Sequence, residues 1–291
     1  MSAGQRHGGL PMAAPPPGSV GDRAIRSTRR TRRWGSWYVA EHRFLSLRSY
    51  AQTVTVTAIG NPIIYLYALG VGLATLVDAN LGTDAVGGVS YLAFVAPALL
   101  CSAAIAVASD EFSYPIMIGF KWNPVFFAMN AAPIQPGQII NGIVIAVFAR
   151  MLVTCGIFYA FMLLFGAVPS AAGFLAVFVA VLTGLGFGVL LMAYTATLTE
   201  DAGQLAMVMR FVILPMTLFS GTFFPLGVLP VWLQWIGWIS PLGHGTELAR
   251  VFTYGLSEPL WLSVLHMLYL MVLLVTGWAA GRRITARRLN K

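Results

Sequence analysis

The sequence predicts an all-α polytopic membrane protein: six transmembrane helices, an N-terminal interfacial helix, and re-entrant outer helices before the last span. Three observations predict it. Apolar side chains make up 58% of the 291 residues and charged ones 10%, where soluble domains carry about 25% charged. Six apolar runs each approach the roughly 20 residues that a helix needs to cross the hydrocarbon. Basic residues gather at the two chain ends, before residue 51 and after residue 281, with only Lys121, Arg150, Arg210 and Arg250 between. A chain of this size has too much surface for its volume to hide such an apolar share in water. A soluble globular protein and a disordered one are both excluded. The net charge of +8 forms no continuous basic face, so nucleic acid is not an expected partner.

Residues 1–33 read as a disordered basic cytoplasmic tail, because Pro15, Pro16, Pro17 and Gly18 oppose regular structure and the arginines from Arg23 to Arg33 repel one another. The first long apolar run begins after residue 50, which argues against a secretory signal peptide. In residues 34–50, Trp37, Phe44, Leu45 and Leu47 alternate with Glu41, His42, Arg43 and Arg48. That pattern suits an amphipathic helix in the headgroup plane or, more plainly, a short solvated linker. Residues 51–285 form the transmembrane domain, with spans over 52–77 (kinked near Pro62), 90–108, 139–165, 172–195, 207–224 and 260–280. Unpaired backbone groups are not tolerated in lipid and no run alternates like a barrel strand, so these are helices. Gly184 and Gly188 in the fourth run permit close helix approach. Residues 286–291 are a basic cytoplasmic C-terminus.

The link 78–88 carries Asp78 and Asp84 and no base. Basic ends then place both termini in the cytoplasm, and an even number of spans in the cytoplasmic membrane satisfies this. Two connections are too long and too apolar to be plain turns. The inner loop 110–138 contains Tyr114, Pro115, Phe120, Trp122, Phe126 and Phe127. Its aromatics fit either a docking surface or an interfacial aromatic belt. The outer segment 225–253 surrounds the short run 231–239 with proline and glycine. That run is too short to cross, and reads as a re-entrant or interfacial helix.

Chemistry is sparse. Neither Lys121 nor Lys291 follows a glycine-rich turn, so the chain carries no ATPase motif and is not itself an enzyme. His7, His42, His244 and His266 are scattered without ligand spacing, and no metal site is expected. Cys101 and Cys155 sit in apolar runs and read as packing thiols. The acids lie in loops or at span ends, whereas ion-coupled carriers place one near the midplane. An ion-coupled secondary transporter or channel without an ATPase is therefore the alternative, not the main reading. A membrane-embedded enzyme would need a carboxylate or histidine cluster at one face, and none is visible. Arg150, halfway along the third run, either faces a polar pathway or pairs structurally. Glu200 and Asp201 either form a solvated turn or meet Arg210 or a partner.

The stretch 211–255 is the specific part. Ser220, Gly221, Phe224 and Pro225, then Leu229, Pro230, Trp232, Leu233 and Gln234, then Ser240, Pro241, Leu242, Leu248 and Arg250 resemble the C-terminal signature of ABC-2 type transporter permeases. The likeness is strongest to the branch with the nodulation-factor and daunorubicin-type exporters. Ala132-Pro133-Ile134 is similar to that family's inner loop, and the resemblance spans most of 35–285. It implies a permease subunit of an ATP-binding cassette exporter for an amphipathic drug, lipid or lipid-linked saccharide. Two permease chains, identical or sister, would pair with two P-loop ATPase subunits, which bind the ATP and Mg while this chain binds no cofactor. The resemblance favours docking for the inner loop, with Glu111, Tyr114, Pro115, Phe120, Lys121 and Trp122 as coupling residues. Tyr91, Phe94, Arg150, Met216, Phe223 and Phe224 are the expected pathway and gate residues.

Overall fold

The computed structural model describes residues 20–82 and 88–290, with side chains from residue 31 onward apart from Val71 and Leu81. Residues 1–19, Asp84 and Lys291 lie outside the described residues, as do the side chains of Arg23, Arg26, Arg29 and Arg30. Helix α1 (Val20–Leu47) passes through a 3-10 turn at Arg48–Tyr50 into α2 (Ala51–Tyr67), a π-helical stretch (Ala68–Leu73) and α3 (Ala74–Leu81). There follow α4 (Tyr91–Phe112), α5 (Tyr114–Met117) with its π-helical extension Ile118–Trp122, α6 (Val125–Ala131), α7 (Pro136–Leu164) and α8 (Leu175–Thr197). The chain finishes with α9 (Gln204–Val208), α10 (Leu214–Phe219), α11 (Val231–Ile239), α12 (Pro241–Tyr254) and α13 (Leu260–Leu289). No strand occurs among the described residues.

Four boundaries differ from the sequence reading. Helix α1 starts at Val20, inside the segment expected to be irregular, because the proline run ends at Pro17 and nothing beyond it breaks a helix. The path between α1 and α2 does break at Tyr50, whose φ of −129° and ψ of 25° leave the helical region. Helix α4 runs on to Phe112 and takes Asp110 and Glu111 into its last turn. Helix α13 continues through the arginines to Leu289. Among the described residues, five helical stretches are long and apolar enough to cross a membrane: Thr31–Asn80, Tyr91–Trp122, Pro136–Leu164, Ala171–Thr197 and Leu260–Leu289. The expected fifth span is the shorter apolar helix Gln204–Phe219. It stops where Ser220 (φ −92°, ψ 25°) and Gly221 (φ 78°) turn the chain ahead of Pro225.

Helices α4 and α8 form the buried centre: 78% and 72% of their apolar spans lie inside the protein, against 17% for α13 and 18% for the first stretch. Lipid is as apolar as leucine, so helices associate by close van der Waals contact and not by escape from water. Small residues supply that contact on both sides of α8. A Cβ on Gly184 would lie 2.8 Å from the Ala104 carbonyl oxygen, and one on Gly188 would lie 2.5 Å from the Phe112 ring. On the other side, α13 meets α8 through Gly277, where a Cβ would sit 2.9 Å from the Leu190 nitrogen. Helix α12 wedges under these helices with Leu242, Thr246, Leu248 and Ala249 buried. Outward faces are greasy throughout: Val56, Ile64, Phe211, Trp261 and Val272 are all more than half exposed.

The ends of the bundle differ in charge. Helix α13's arginines, the start of α7 and the end of α8 share one end, where Arg288 donates to the Ala196 and Leu198 carbonyls at 2.8 and 2.7 Å. This is the basic end of the bundle. Helix α1 lies along α7 here, with Gly142 so close that a Cβ would be 2.5 Å from the Ser36 carbonyl oxygen. Gly184→Val is expected to cost about 1–3 kcal/mol by overpacking and to lower the thermal unfolding midpoint of the detergent-purified chain. Gly60→Val, where an added Cβ meets nothing within 4 Å, should leave the midpoint in place.

Candidate functional site

A carboxylate in the last turn of a helix faces the negative end of the helix dipole and needs a cation nearby. Glu111 at the end of α4 has two. Arg43 of α1 donates to one of its oxygens at 2.9 Å, and Arg150 of α7 donates to the other. The Glu111 side chain is 5% exposed, and those of Arg43 and Arg150 are 17% and 12% exposed. Arg150 also approaches Asp110 at 3.9 Å, but that carboxylate is 70% exposed. The arrangement fastens α1, α4 and α7 together at the basic end. Glu111, expected on a docking surface, is thus inside the protein, and Arg150 is its partner.

Just beyond this joint the helix breaks at Ser113 (φ −98°, ψ −103°), and the segment from α5 to Trp122 turns outward. Tyr114 and Trp122 stack at 6.3 Å and 16°. Both are exposed, as are Ile118 and Phe127, so the surface is apolar. Phe120 points the other way. It is buried, meets Phe126 edge-on at 5.0 Å and lies 4.1 Å beneath the Arg288 guanidinium. Lys121 pairs with Glu200 at 3.0 Å across an exposed gap, an interaction worth little on its own. Pro115 is half-buried. Of the six expected coupling residues, Tyr114, Lys121 and Trp122 therefore reach the surface, and Glu111 and Phe120 anchor it from within.

At the opposite end Arg250 of α12 is 1% exposed. Its Nη2 donates to the Gly221 carbonyl at 2.8 Å, and Nε and Nη2 donate to the Phe94 carbonyl at 3.2 Å. Its Nη1 pairs with Glu247 at 2.8 Å, and its guanidinium lies 3.7 Å over the Phe94 ring. The Tyr91 hydroxyl donates to the Phe223 carbonyl at 3.1 Å. Tyr91 and Phe94 are hence struts that hold the α10–α11 connection to α4. Beside them opens a cavity of about 510 Å³, lined among others by Glu247, Glu258, His244 and His266. The two imidazoles meet Nδ1 to Nδ1 at 2.6 Å, and His244 Nε2 donates to the Trp238 carbonyl at 2.9 Å.

A seam runs between α2, α4, α7 and α10. It contains two adjoining hollows of about 110 and 220 Å³, which share Asn61, Ala103, Ala106 and Phe158. Arg150 and Asp110 border one; Ser102, Thr217 and Phe223 border the other. The expected pathway residues are not gathered in one place. Arg150 and Phe223 line the seam, while Met216 lines a separate apolar groove of about 410 Å³ near α11. Phe224 is half-buried beside Phe223. Asn61, Ser102 and Thr217 went unnoticed in the sequence, although an amide inside an apolar run is a usable signal.

A family profile described as ABC-2 type transporter matches residues 37–254. Nodulation protein J of Rhizobium leguminosarum bv. viciae is 29% identical over 256 residues, covering 85% of this chain and 92% of the relative. The protein of the same name from Rhizobium leguminosarum bv. trifolii is 29% identical over 239 residues, or 79% and 85% of the two chains. That from Rhizobium meliloti (strain 1021) is 27% identical over 264 residues, or 88% and 94%.

Removing one member of a buried ion cluster strands the others, at a cost of about 3–5 kcal/mol. Glu111→Ala is expected to lower the unfolding free energy by that measure, read as a lower thermal midpoint, whereas Asp110→Ala, at an exposed carboxylate, should change it by less than about 1 kcal/mol. Burial holds His244 below its ordinary imidazole range, with His266 adding to the effect against the Trp238 carbonyl. The unfolded chain then takes up this proton from about pH 6.5 while the folded chain waits for lower pH, so stability falls as pH drops through that window. His244→Gln should flatten that part of the midpoint–pH curve.

Proposed function

The chain belongs to the ABC-2 type transporter family, and we propose that it is the permease subunit of an ATP-driven exporter powered by a separate P-loop ATPase. The observation that carries this reading is the surface of Tyr114, Ile118, Trp122 and Phe127, which is apolar outside and anchored inside by Glu111 and Phe120. A chain without a nucleotide motif needs such a face to receive work. In this reading the basic end is cytoplasmic, both termini lie there, and Gln204–Phe219 serves as a short sixth crossing. Helices α11 and α12 line the outer leaflet without crossing. ATP and Mg belong to the partner subunit.

Force applied at Trp122 and Tyr114 passes to Glu111, and from there to Arg43 on α1 and Arg150 on α7. Helix α7 lines the seam and α1 leads into α2, which lines it too, so the motion widens or narrows it. A second permease copy, identical or sister, would close the open side, because the face of α2 carrying Ile59, Ile63 and Tyr67 is uncovered. The seam's apolar walls with Asn61, Ser102 and Thr217 suit an amphipathic cargo such as a drug, a lipid or a lipid-linked saccharide. Phe223 and Phe224, held by Tyr91, are the outer gate.

Affinity purification of the tagged full chain in mild detergent should bring down a P-loop ATPase in equal amount. Truncating aromatic anchors in an interface costs about 2 kcal/mol or more, so Tyr114→Ala with Trp122→Ala is expected to lower recovery of the ATPase at least tenfold. Transport by the chain alone in reconstituted vesicles would overturn the reading. Asn61→Leu should slow cargo export severalfold while ATPase recovery stays unchanged.

A further inference from the structure

The apolar part of α13, residues 260–280, is about 30 Å long at 1.5 Å per residue, which matches the hydrocarbon thickness. Arg282 and Arg283 follow at once, so they stand at headgroup level. Trp278 is one turn earlier, the depth at which interfacial tryptophans collect. Its indole N–H donates to Asn141 Oδ1 of α7 at 2.9 Å, which fixes the ring. Arg282 lies over that ring at 4.7 Å and passes close to the α7 backbone, where a Cβ on Gly137 would sit 2.8 Å from its Nη2. A cavity of about 310 Å³ opens between the two helices, lined by Gly137, Trp278, Ala279, Arg282, Arg283 and Ala286. No carboxylate lines it, and neither arginine forms an ion pair among the described residues.

This contrasts with the other arginines nearby. Arg43 and Arg150 are both engaged by the Glu111 carboxylate, and Arg288 is occupied by two carbonyls and the Phe120 ring. Arg282 and Arg283 keep their charge unanswered beside a small cavity whose remaining walls are apolar. Guanidinium groups bind phosphate oxygens by paired N–H bonds, and basic pockets between membrane helices hold anionic headgroups. We propose that this cavity between α7 and α13 binds the phosphate of an anionic lipid headgroup through Arg282 and Arg283, with the acyl chains following the exposed face of α13. Inorganic phosphate offers the same oxygens. Only the lipid also uses the apolar surface of Val272 and Val275 above the site. The proposal goes beyond the exporter reading and requires only that α13 crosses a bilayer, so the two stand or fall separately.

The test is lipid retention by the purified full chain in neutral detergent, counted by native mass spectrometry after adding phosphatidylglycerol or phosphatidylcholine. The unsubstituted chain is expected to keep phosphatidylglycerol and release phosphatidylcholine. At about fivefold per arginine near the surface, Arg282→Gln with Arg283→Gln should weaken retention about 25-fold. Arg287→Gln removes a charge outside the cavity and should change it less than twofold. Ala286→Trp fills the cavity while keeping both arginines, and should also abolish retention; it carries the test if the double variant fails to assemble. Equal retention by Ala286→Trp or by a folded double variant would overturn the site. Displacement of the lipid by inorganic phosphate that binds as tightly itself would overturn the lipid as its occupant.

Discussion

A carboxylate held between two guanidinium groups joins three helices of this protein. Glu111 ends α4, Arg43 belongs to the helix that leads into the membrane, and Arg150 sits mid-way along α7. Each charge alone would be costly at this depth, because desolvation of an unpaired ion amounts to several kcal/mol. Together they form a joint that resists separation, since pulling one helix away strands the charges on the others. The break at Ser113 follows immediately, so the exposed aromatic segment hangs directly from the joint.

The rest of the bundle is built to keep that joint in register. Helix α8 is gripped by α4 through Gly184 and Gly188 and by α13 through Gly277. At Gly184 and Gly277 the neighbour is backbone, which cannot yield, and at Gly188 the missing side chain makes room for the Phe112 ring. Arg250 performs the corresponding task at the opposite end, tying α12 to the Phe94 and Gly221 carbonyls. Backbone carbonyls freed where α10 ends early at the Ser220–Gly221 turn thereby find donors, as a lipid-embedded protein requires. The seam along α2 and α4 is left as the softer part, with small residues such as Ala103 and Ala106 on its walls.

Much of this was legible in the order of residues. The apolar runs marked the long helices, the glycine pair in α8 marked its close neighbour, and Tyr114 to Trp122 marked the exposed aromatic face. Less legible was which polar residues face one another. Glu111 and Arg150 are 39 residues apart in the chain, and no spacing rule connects them. Phe94 looked like a pathway wall by position, yet it serves Arg250 with both its ring and its carbonyl. The fifth apolar run looked long enough to cross until the Ser220–Gly221 turn shortened it.

Sequence by itself determined that this chain is helical and membrane-bound, because burying or exposing apolar side chains is a matter of composition and run length. It also shows that the two lysines, Lys121 and Lys291, stand outside any glycine-rich frame. Tertiary structure decided which charges are neutralised and which are left open. Pairing depends on helices crossing at particular heights, and those heights are set by close contacts between residues far apart in the chain. That is why Arg150 is spent on Glu111 while Arg282 and Arg283, equally basic on paper, face an empty hollow.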